Sequence, residues 1–424
     1  MSFQQGISGL NAAQRNLEVI SNNIANANTV GAKGARVEFS DVYANAALHQ
    51  LSHATGMGVR AADVTQNFGQ GSLRTTDNPL DVAINGRGFF VVASPGGVDP
   101  AYTRNGSFQM NSDGFLVNNQ GMRLQGYTVN AAGRPSGTTS DIRLPTQGVA
   151  PRVSATGQMT LNLDGRTPAP DADMPPFALG EASSYTSSTA MMVYDQQGNE
   201  HVLSMYFRRS ATDNEWEVYT ALDGQPTPAI AGGGTQVPAG RLAFGPDGVL
   251  DPATANLDLE LPFPSATLPV PGAPATTTAP LSLSFGGSTQ FGSAFGVTAV
   301  SQDGYPPGQL TGFAIDGNGV VQARYSNGQT VSAAQIALAD FRNEQGLAPV
   351  GGNMWRATPA SGQPAVGTPG SANLGMLTGG ALEEANIDLT QQLVDMITAQ
   401  RAYQANAQTI KTQDQMVSSL VNLR

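Results

Sequence analysis

The chain has 424 residues, no cysteine, only three histidines and a net charge of −11 at pH 7. The lack of cysteine excludes disulfides, thiolate-bound metals and thiol nucleophiles, and the acidic balance argues against nucleic-acid binding, which depends on basic residues that neutralise phosphates. Charged residues make up 12% of the chain, about half of the share that is usual in soluble proteins.

The prolines divide the chain into three parts, because all 27 lie between Pro79 and Pro369. Proline breaks helix interiors, so the two ends can be helical, whereas the middle is predicted to be β. The first five residues lack the basic and apolar regions of a signal peptide, and no apolar run reaches the roughly 20 residues that span a bilayer. If the protein leaves the cell, we expect it to do so without a cleaved signal peptide.

The N-terminal part carries an apolar seam that repeats every seven residues. Its larger positions are Phe3, Leu10, Leu17 and Ile24, and its smaller positions are Gly6, Ala13, Ile20 and Ala27. A repeat of 3.5 residues keeps one face of a helix turned toward a partner helix, as in a coiled coil. Because the second series is small, it permits a close approach. Residues 31–77 then carry six glycines and little β pattern, which predicts an ordered but adaptable connecting segment.

The middle of the chain shows turn signals between short apolar runs. Asn-Gly and Asp-Gly turns tolerate the positive φ of hairpins. Examples are 111–114, 118–121, 316–319 and 326–328. Such regular spacing favours a sandwich or a barrel, and we assign residues 78–148 and 293–375 to a first β domain. Residues 149–292 hold further strand-like runs at 190–194, 201–207 and 215–219 among Pro, Ala and Thr. We predict that they form a second, outer β domain inserted in the first.

The C-terminal part repeats the seven-residue pattern and contains no glycine after residue 380. The heptad series is Leu382, Leu389, Met396, Tyr403, Ile410 and Val417, widened by Leu393, Ile397, Ala407, Leu420 and Leu423. A helix over 387–423 would be about 55 Å long, with Asp388 and Gln391 as a capping box. We predict that residues 1–30 and 382–424 form a terminal coiled-coil domain.

Residues 1–29 and 387–424 are each formally neutral, and the faces opposite their seams carry Asn, Gln, Ser, Thr and Ala. A helix lying on its own globular domain is the simpler interpretation, but an uncharged helix surface suits packing among many copies. An isolated helix of this kind is marginal, so we expect the termini to become ordered on self-assembly. The predicted assembly interface consists of Phe3, Leu10, Leu17, Ile20, Ile24, Leu389, Leu393, Met396, Tyr403, Ile410, Val417 and Leu420.

Two terminal motifs resemble those of the bacterial flagellar axial proteins, the rod and hook family. The N-terminal motif runs from GISGLNAA at 6–13 to SNNIANANTVG at 21–31, and the C-terminal motif is MITAQRAYQANAQTI at 396–410. Middle segments at 161–164, 193–207, 288–292, 302–305 and 310–313 are similar to hook rather than rod members. Ala32 departs from the Phe that the family often carries there, which puts one contact of the connecting segment in doubt.

The resemblance implies a fold and a set of partners. The termini would pair in an inner coiled-coil layer around a channel, and the β domains would stack outside it. The subunit would pass unfolded through the flagellar type III export apparatus and polymerise with itself under a hook cap protein. It would connect the distal rod protein to the hook-filament junction protein. The implied function is that of a curved, bendable tube that transmits motor torque as a universal joint.

Two other functions stay open at this point, a distal rod protein of the same family and an adhesive or carbohydrate-binding β protein with a coiled-coil stalk. Catalysis has little support: His49 and His53 have the spacing of a metal pair without a third ligand, Asp316 and Asn318 lack the remaining ligands of a calcium loop, and residues 86–88 lack the third glycine of a dinucleotide loop. We expect no enzyme activity, no cofactor and no metal.

Overall fold

A computed structural model of the protein describes residues 2–42, 58–96, 99–130, 135–170, 175–227, 236–264 and 276–421. The chain is mostly β, with an α-helix at each end. It divides into two compact units, of which the first comprises residues 1–146, 311–324 and 330–424, and the second comprises residues 147–310 and 325–329. The second unit is thus inserted in the sequence of the first.

The terminal helices are α1 (Ser2–Asn26) and α2 (Leu389–Val421). With 33 residues, α2 is about 50 Å long. Asp388 caps it, because its Oδ1 accepts hydrogen bonds from Thr390 N at 2.8 Å and Gln391 N at 3.2 Å. Gln391 does not complete the predicted capping box, since its side chain donates to Asp395 Oδ1 at 2.9 Å.

Among the residues that the structure describes, ten strands precede the inserted unit. They are β1 (Ala35–Asp41), β2 (Val59–Gln66), β3 (Leu73–Thr75), β4 (Val82–Asn85), β5 (Phe89–Ala93), β6 (Ala101–Thr103), β7 (Gln109–Met110), β8 (Leu116–Val117), β9 (Arg123–Val129) and β10 (Pro135–Asp141). Within residues 31–77, which show little β pattern in the sequence, β1 and β2 pair as an antiparallel ladder that packs on α1. Their side chains are exposed or half-exposed, so the sequence lacks the strong alternation of apolar and polar residues that predicts a strand.

In the described residues of the second unit there are nine strands. They are β11 (Thr156–Asn162), β12 (Ser187–Tyr194), β13 (Glu200–Arg209), β14 (Glu215–Leu222), β15 (Gln225–Thr227), β16 (Gly240–Ala243), β17 (Asn256–Pro264), β18 (Thr276–Ser284) and β19 (Gly296–Gln302). One sheet has the order β17-β18-β11-β19, and the other has the order β12-β13-β14-β15 with β16 also on β14. A single core, which includes Leu161, Phe207, Trp216 and Phe285, draws on both sheets.

The second unit extends past the predicted boundary at 292, because β19 pairs with β11 of this unit. The segment before β19, residues 285–295, is rich in Gly, Ser and Phe. This composition resembles that of a linker between domains, but the segment is a loop within the second unit.

Nine more strands complete the first unit. They are β20 (Leu310–Ile315), β21 (Val320–Tyr325), β22 (Thr330–Ile336), β23 (Leu338–Asp340), β24 (Ala348–Gly351), β25 (Met354–Arg356), β26 (Ala365–Gly367), β27 (Met376–Gly379) and β28 (Ala381–Glu383). The main sheet runs β20-β21-β22-β9-β5-β6-β25-β24, while β27 pairs with β4 and β28 pairs with β3. Leu382 therefore lies in a strand, and its place in the predicted helical heptad series was wrong.

The predicted hairpin turns at 111–114, 118–121, 316–319 and 326–328 are present, and the glycine of each has a positive φ. In the turn before β8, Asn111 Oδ1 accepts hydrogen bonds from Asp113 N and Phe115 N, and Gly114 has φ +85°. A Cβ at Gly114 would also lie 2.9 Å from Leu144 O. Only glycine meets both constraints without strain.

Candidate assembly interface

The two terminal helices pack against each other in antiparallel orientation. Near the end of α1, Asn23 Nδ2 donates to Gln392 Oε1 at 3.0 Å at the start of α2. Near the start of α1, Gly6 and Gly9 face Ile410 and Asn406, which lie farther along α2. The register therefore runs in opposite directions along the pair.

The close approach depends on the small residues of α1. An ideal Cβ at Gly6 would lie 3.0 Å from Ile410 Cγ1, and one at Gly9 would lie 2.8 Å from Asn406 Oδ1. Gly6, Ala13 and Ile20 of the smaller series are buried, whereas Leu10, Leu17 and Ile24 of the larger series are only half-buried. The intramolecular contact thus uses mainly the small seam, and the larger seam keeps part of its surface free.

The predicted interface residues of α2 fall into two groups. Met396 and Ile410 are half-buried, and Ile410 contacts the α1 backbone at Gly6. Leu389, Leu393, Tyr403 and Val417 are exposed, Leu393 to 51%. The side chains of Phe3 and Leu420 lie outside the described part of the structure. Within one subunit, the structure therefore brings together only part of the predicted set.

An exposed apolar row lies along the first half of α2. Leu389, Leu393 and Ile397 are four residues apart, a spacing that aligns side chains along one face of a helix. Leu393 and Ile397 are each 51% exposed, and the neighbouring Val394 is 53% exposed. Large apolar side chains in a continuous row on a surface indicate a contact with another molecule.

A buried ionic cluster joins the connecting segment to the strand that leads into α2. Lys33 Nζ lies 2.6 Å from Glu383 Oε1, and Arg104 Nη1 lies 3.3 Å from Glu383 Oε2. Lys33 also donates to Gly69 O at 2.7 Å, and Gly71 N donates to Glu383 Oε1 at 2.9 Å. Three segments that are distant in sequence therefore converge on one carboxylate.

Burial dominates the electrostatics of this cluster. It lowers the pKa of the Lys33 ammonium and of the Arg104 guanidinium, and the Glu383 carboxylate opposes both shifts. The sequence reasoning missed all three residues. The available signal was Lys33 itself, which is one of only two lysines in the chain.

Two asparagines fasten the helices to the connecting segment. Asn23 of α1 bonds both backbone groups of Ala35, with Nδ2 2.7 Å from Ala35 O and Oδ1 2.9 Å from Ala35 N. Asn386, just before α2, accepts from Gly34 N at 2.8 Å and donates to Asn67 O at 2.7 Å. Each side chain replaces a ladder partner for backbone groups that would otherwise be unpaired.

The motifs that were set aside as chemistry behave as structure where they are described. Asp316 Oδ1 accepts hydrogen bonds from Asn318 N and Val320 N, which is an Asx turn. His49 and His53 lie outside the described residues. Within the described ranges, no group of three His, Cys, Asp or Glu side chains is placed to hold a metal ion. In the same ranges, neither helix is apolar enough over its length to cross a membrane.

Comparison with family models gives four matches along the chain. They are "Flagella basal body rod protein" over 3–33, "Flagellar hook protein FlgE/F/G D1 domain" over 83–161, "Flagellar basal body protein FlaE D2 domain" over 162–305 and "Flagellar basal body rod FlgEFG protein C-terminal" over 378–423. Together these matches span residues 3–33, 83–305 and 378–423.

Full-length relatives are proteins named flagellar hook protein FlgE. Those of Salmonella typhimurium and Escherichia coli K12 are each 42% identical over 432 residues and cover 100% of both chains. The one of Treponema pallidum is 34% identical and covers 100% of this chain and 99% of its own. The crystal structure of Helicobacter pylori flagellar hook protein FlgE2 has a TM-score of 0.51 at 16% identity and covers 73% of this chain and 100% of its own, which supports the fold.

Proposed function

Because the chain belongs to the flagellar hook protein family FlgE and is a structural subunit of the bacterial flagellar hook, we propose how its copies join. The terminal helices of each subunit pair with those of neighbouring copies and form the inner wall of a curved tube. Of the residues predicted from the heptad pattern, those with free surface in the subunit are the proposed contacts between copies, namely Leu389, Leu393, Tyr403 and Val417 together with the half-buried Leu10, Leu17 and Ile24. The assembled tube transmits torque from rod to filament as a universal joint.

The observation that carries this proposal is the exposed apolar row on α2. Leu393 and Ile397 are half-exposed in the subunit although their neighbour Ala399, on the side of α1, is buried. Burial of an apolar side chain contributes about 1.5–3 kcal/mol, so neighbouring copies that cover this row gain free energy at each contact. In the subunit, α2 is already a helix packed on α1, which differs from the expectation that the termini become ordered on self-assembly. Little further ordering is therefore needed when copies join.

A helical tube follows from the kind of contact. The two helices present different surfaces, so the surface of one copy meets a different surface of the next. Heterologous contacts of this kind extend into a filament when they do not close into a ring. Neutral helix surfaces favour such a filament, because many identical copies can approach without charge repulsion.

The family also suggests the location, the export route and the partners of the protein. As part of the hook, the protein lies outside the cell. We propose that it is exported by the flagellar type III apparatus without a cleaved signal peptide and that it assembles under a hook cap protein. It would then contact the distal rod protein at one end of the tube and the hook-filament junction protein at the other. Its role is mechanical, and we assign it no catalytic activity.

The hook assignment has more support than the two alternatives. The relatives named as hook proteins match over their full length and over all of this chain, including the inserted unit. A distal rod protein of the family would lack most of that unit, and an adhesin would not share both terminal motifs.

A pair of substitutions on α2 tests the assembly surface. Leu393→Gln with Ile397→Gln keeps good helix formers at both positions and should leave the soluble subunit folded, because both side chains are exposed. Tube formation by the purified chain, followed by light scattering and electron microscopy, should be lost. Leu393→Met is the matched control, since it keeps an apolar side chain of similar size, and it should assemble like the wild type. Assembly of the double variant at the wild-type concentration would refute the proposed interface, as would tubes formed by a chain that lacks 1–29 or 387–424.

A further inference from the structure

The second unit is strongly acidic, but its charge is unevenly distributed. Residues 147–310 contain 15 Asp and Glu against five Arg, which accounts for −10 of the net charge of −11. In contrast, residues 261–302 contain no charged residue at all. This uncharged run includes β18 and β19, and β19 forms one edge of its sheet.

The edge strand β19 has one unpaired side and exposed side chains. It pairs with β11 on one side, and no strand in the described part of the chain pairs with its other side. Every residue from Gly296 to Ser301 is exposed. Val297 and Val300 lie opposite the buried core residues Leu161 and Met159, yet they are 39% and 46% exposed. The core face of the sheet is therefore uncovered at this edge.

The same two valines direct their backbone groups outward. The main chain of Leu161 bonds away from β19, since its N donates to Ser288 Oγ at 3.1 Å and its O accepts from Thr289 N at 2.9 Å. Val297 thus occupies a position without ladder hydrogen bonds, and alternation along β11 gives Val300, opposite Met159, the same arrangement. The N–H and C=O groups of both valines point to the free edge.

The opposite edge of this sheet is protected, and β19 is not. β17 carries Asp258, Glu260 and Pro262, and charged residues and proline are the usual features that keep an edge strand from pairing. β19 has neither. The C-terminal end of β19 is covered, because Ser154 links Gln302 to Tyr194 of β12 by hydrogen bonds. The part of β19 toward Gly296 has exposed side chains, and its edge is accessible.

We propose that the outer edge of β19 is an interaction surface on which a second copy of this chain adds an extended segment, as in β-augmentation. Two copies of an acidic unit repel each other, and this repulsion is weakest where both contacting surfaces are uncharged. A basic partner would instead be attracted to the acidic surfaces and would gain little at a neutral edge. The neutral edge therefore favours another copy of the same chain. The inference rests on the proposed function in one respect, because the hook tube is where copies meet at high local concentration.

Hydrogen exchange on the full-length chain tests this inference. In the dilute soluble subunit, the amides of Val297 and Val300 should exchange fast, whereas those of Ala299 and Ser301 should be protected by β11. In assembled tubes, exchange at Val297 and Val300 should slow at least tenfold. Equal exchange rates in subunit and tube would overturn the proposal. Protection already present in the dilute subunit would also overturn it, because the edge would then be covered by the chain itself.

Substitutions separate this inference from the proposed function. Val300→Pro removes an outward N–H and leaves the ladder to β11 intact, so the concentration at which tubes appear should rise at least tenfold. Val300→Thr keeps the N–H and a β-branched side chain and should assemble like the wild type. Val297→Lys, which places a charge on the edge, serves if the proline variant shows a lowered thermal midpoint. Tubes formed by Val297→Lys and by a stably folded Val300→Pro at the wild-type concentration would overturn the β19 inference. If the wild-type chain forms no tubes, that result counts against the proposed function and not against the β19 inference. The β19 inference is then tested by comparing hydrogen-exchange rates at Val297 and Val300 in dilute and in concentrated solutions of the chain, and equal rates would overturn it.

Discussion

Lys33 and Glu383 lie 350 residues apart in the chain and form an ion pair of 2.6 Å in which neither side chain has exposed surface. Lys33 follows α1, and Glu383 ends the strand that precedes α2. Arg104, at the end of β6, shares the same carboxylate. The pair therefore fixes the chain next to both terminal helices to one point of the first unit.

Glu383→Gln should strongly destabilise the first unit. Two buried cations would lose their common carboxylate, and breaking a buried ion pair from one side costs about 3–5 kcal/mol. Denaturant unfolding of the soluble subunit measures this loss. Glu384→Gln is the matched control, because Glu384 pairs with Arg74 on the surface, where such pairs contribute about 0–1 kcal/mol. A Glu383→Gln variant as stable as its neighbour would show that the cluster contributes little.

Engineered cysteines should report the antiparallel helix register. The chain has no cysteine, so a new pair has no competitors. Gly9→Cys with Asn406→Cys should form an intramolecular disulfide under mild oxidation, because a Cβ at Gly9 would lie 2.9 Å from Asn406 Cγ. Gly9→Cys with Gln392→Cys, at the far end of the pair, should stay reduced. Mass spectrometry of the digested subunit distinguishes the two, and cross-linking of the second pair alone would contradict the register.

The start of α2 should depend on Asp388 and be indifferent to Gln391. Asp388 accepts from two backbone N–H groups of the first turn, and the loss of such a cap costs about 1 kcal/mol. Asp388→Ala should lower the helical signal at 222 nm and the thermal midpoint of the subunit. Gln391→Ala should change neither, because its side chain bonds Asp395 on the surface. Equal effects of the two substitutions would show that both act through helix propensity.

The sequence predicted the elements with strong periodicity and missed those held by specific pairs. Proline distribution and heptads located both helices, and turn glycines located hairpins such as the one around Gly114. Heptads cannot tell an intramolecular contact from an intermolecular one, so Leu393 and Ile410 were placed in one stripe although Ile410 lies against Gly6 of α1 and Leu393 is 51% exposed. The β1–β2 hairpin was missed because its side chains are exposed, and Lys33 was missed because burial of a lone lysine depends on Glu383, which is distant in sequence.

Tyr219 should make the stability of the second unit fall with rising pH in alkaline solution. Burial and then the hydrogen bond to Glu217 raise the pKa of Tyr219 to about 12 from its ordinary value of 10, and its ring stacks on Phe177 at 4.1 Å. Below pH 10 both folded and unfolded states hold the proton. Between pH 10 and 12 only the folded state retains it, so the unfolded state is progressively favoured, by at most about 3 kcal/mol.

Unfolding measured from pH 9 to 12 tests this, and the two lysines of the chain leave tyrosine as the main titrating group. Tyr219→Phe keeps the stacked ring and should reduce the slope of stability against pH. A slope that is unchanged in Tyr219→Phe would assign the alkaline loss of stability to other tyrosines. Absorbance at 295 nm gives an independent check, because Tyr219 should ionise about two pH units above exposed tyrosines in the folded subunit, and its ionisation step should be absent from the variant.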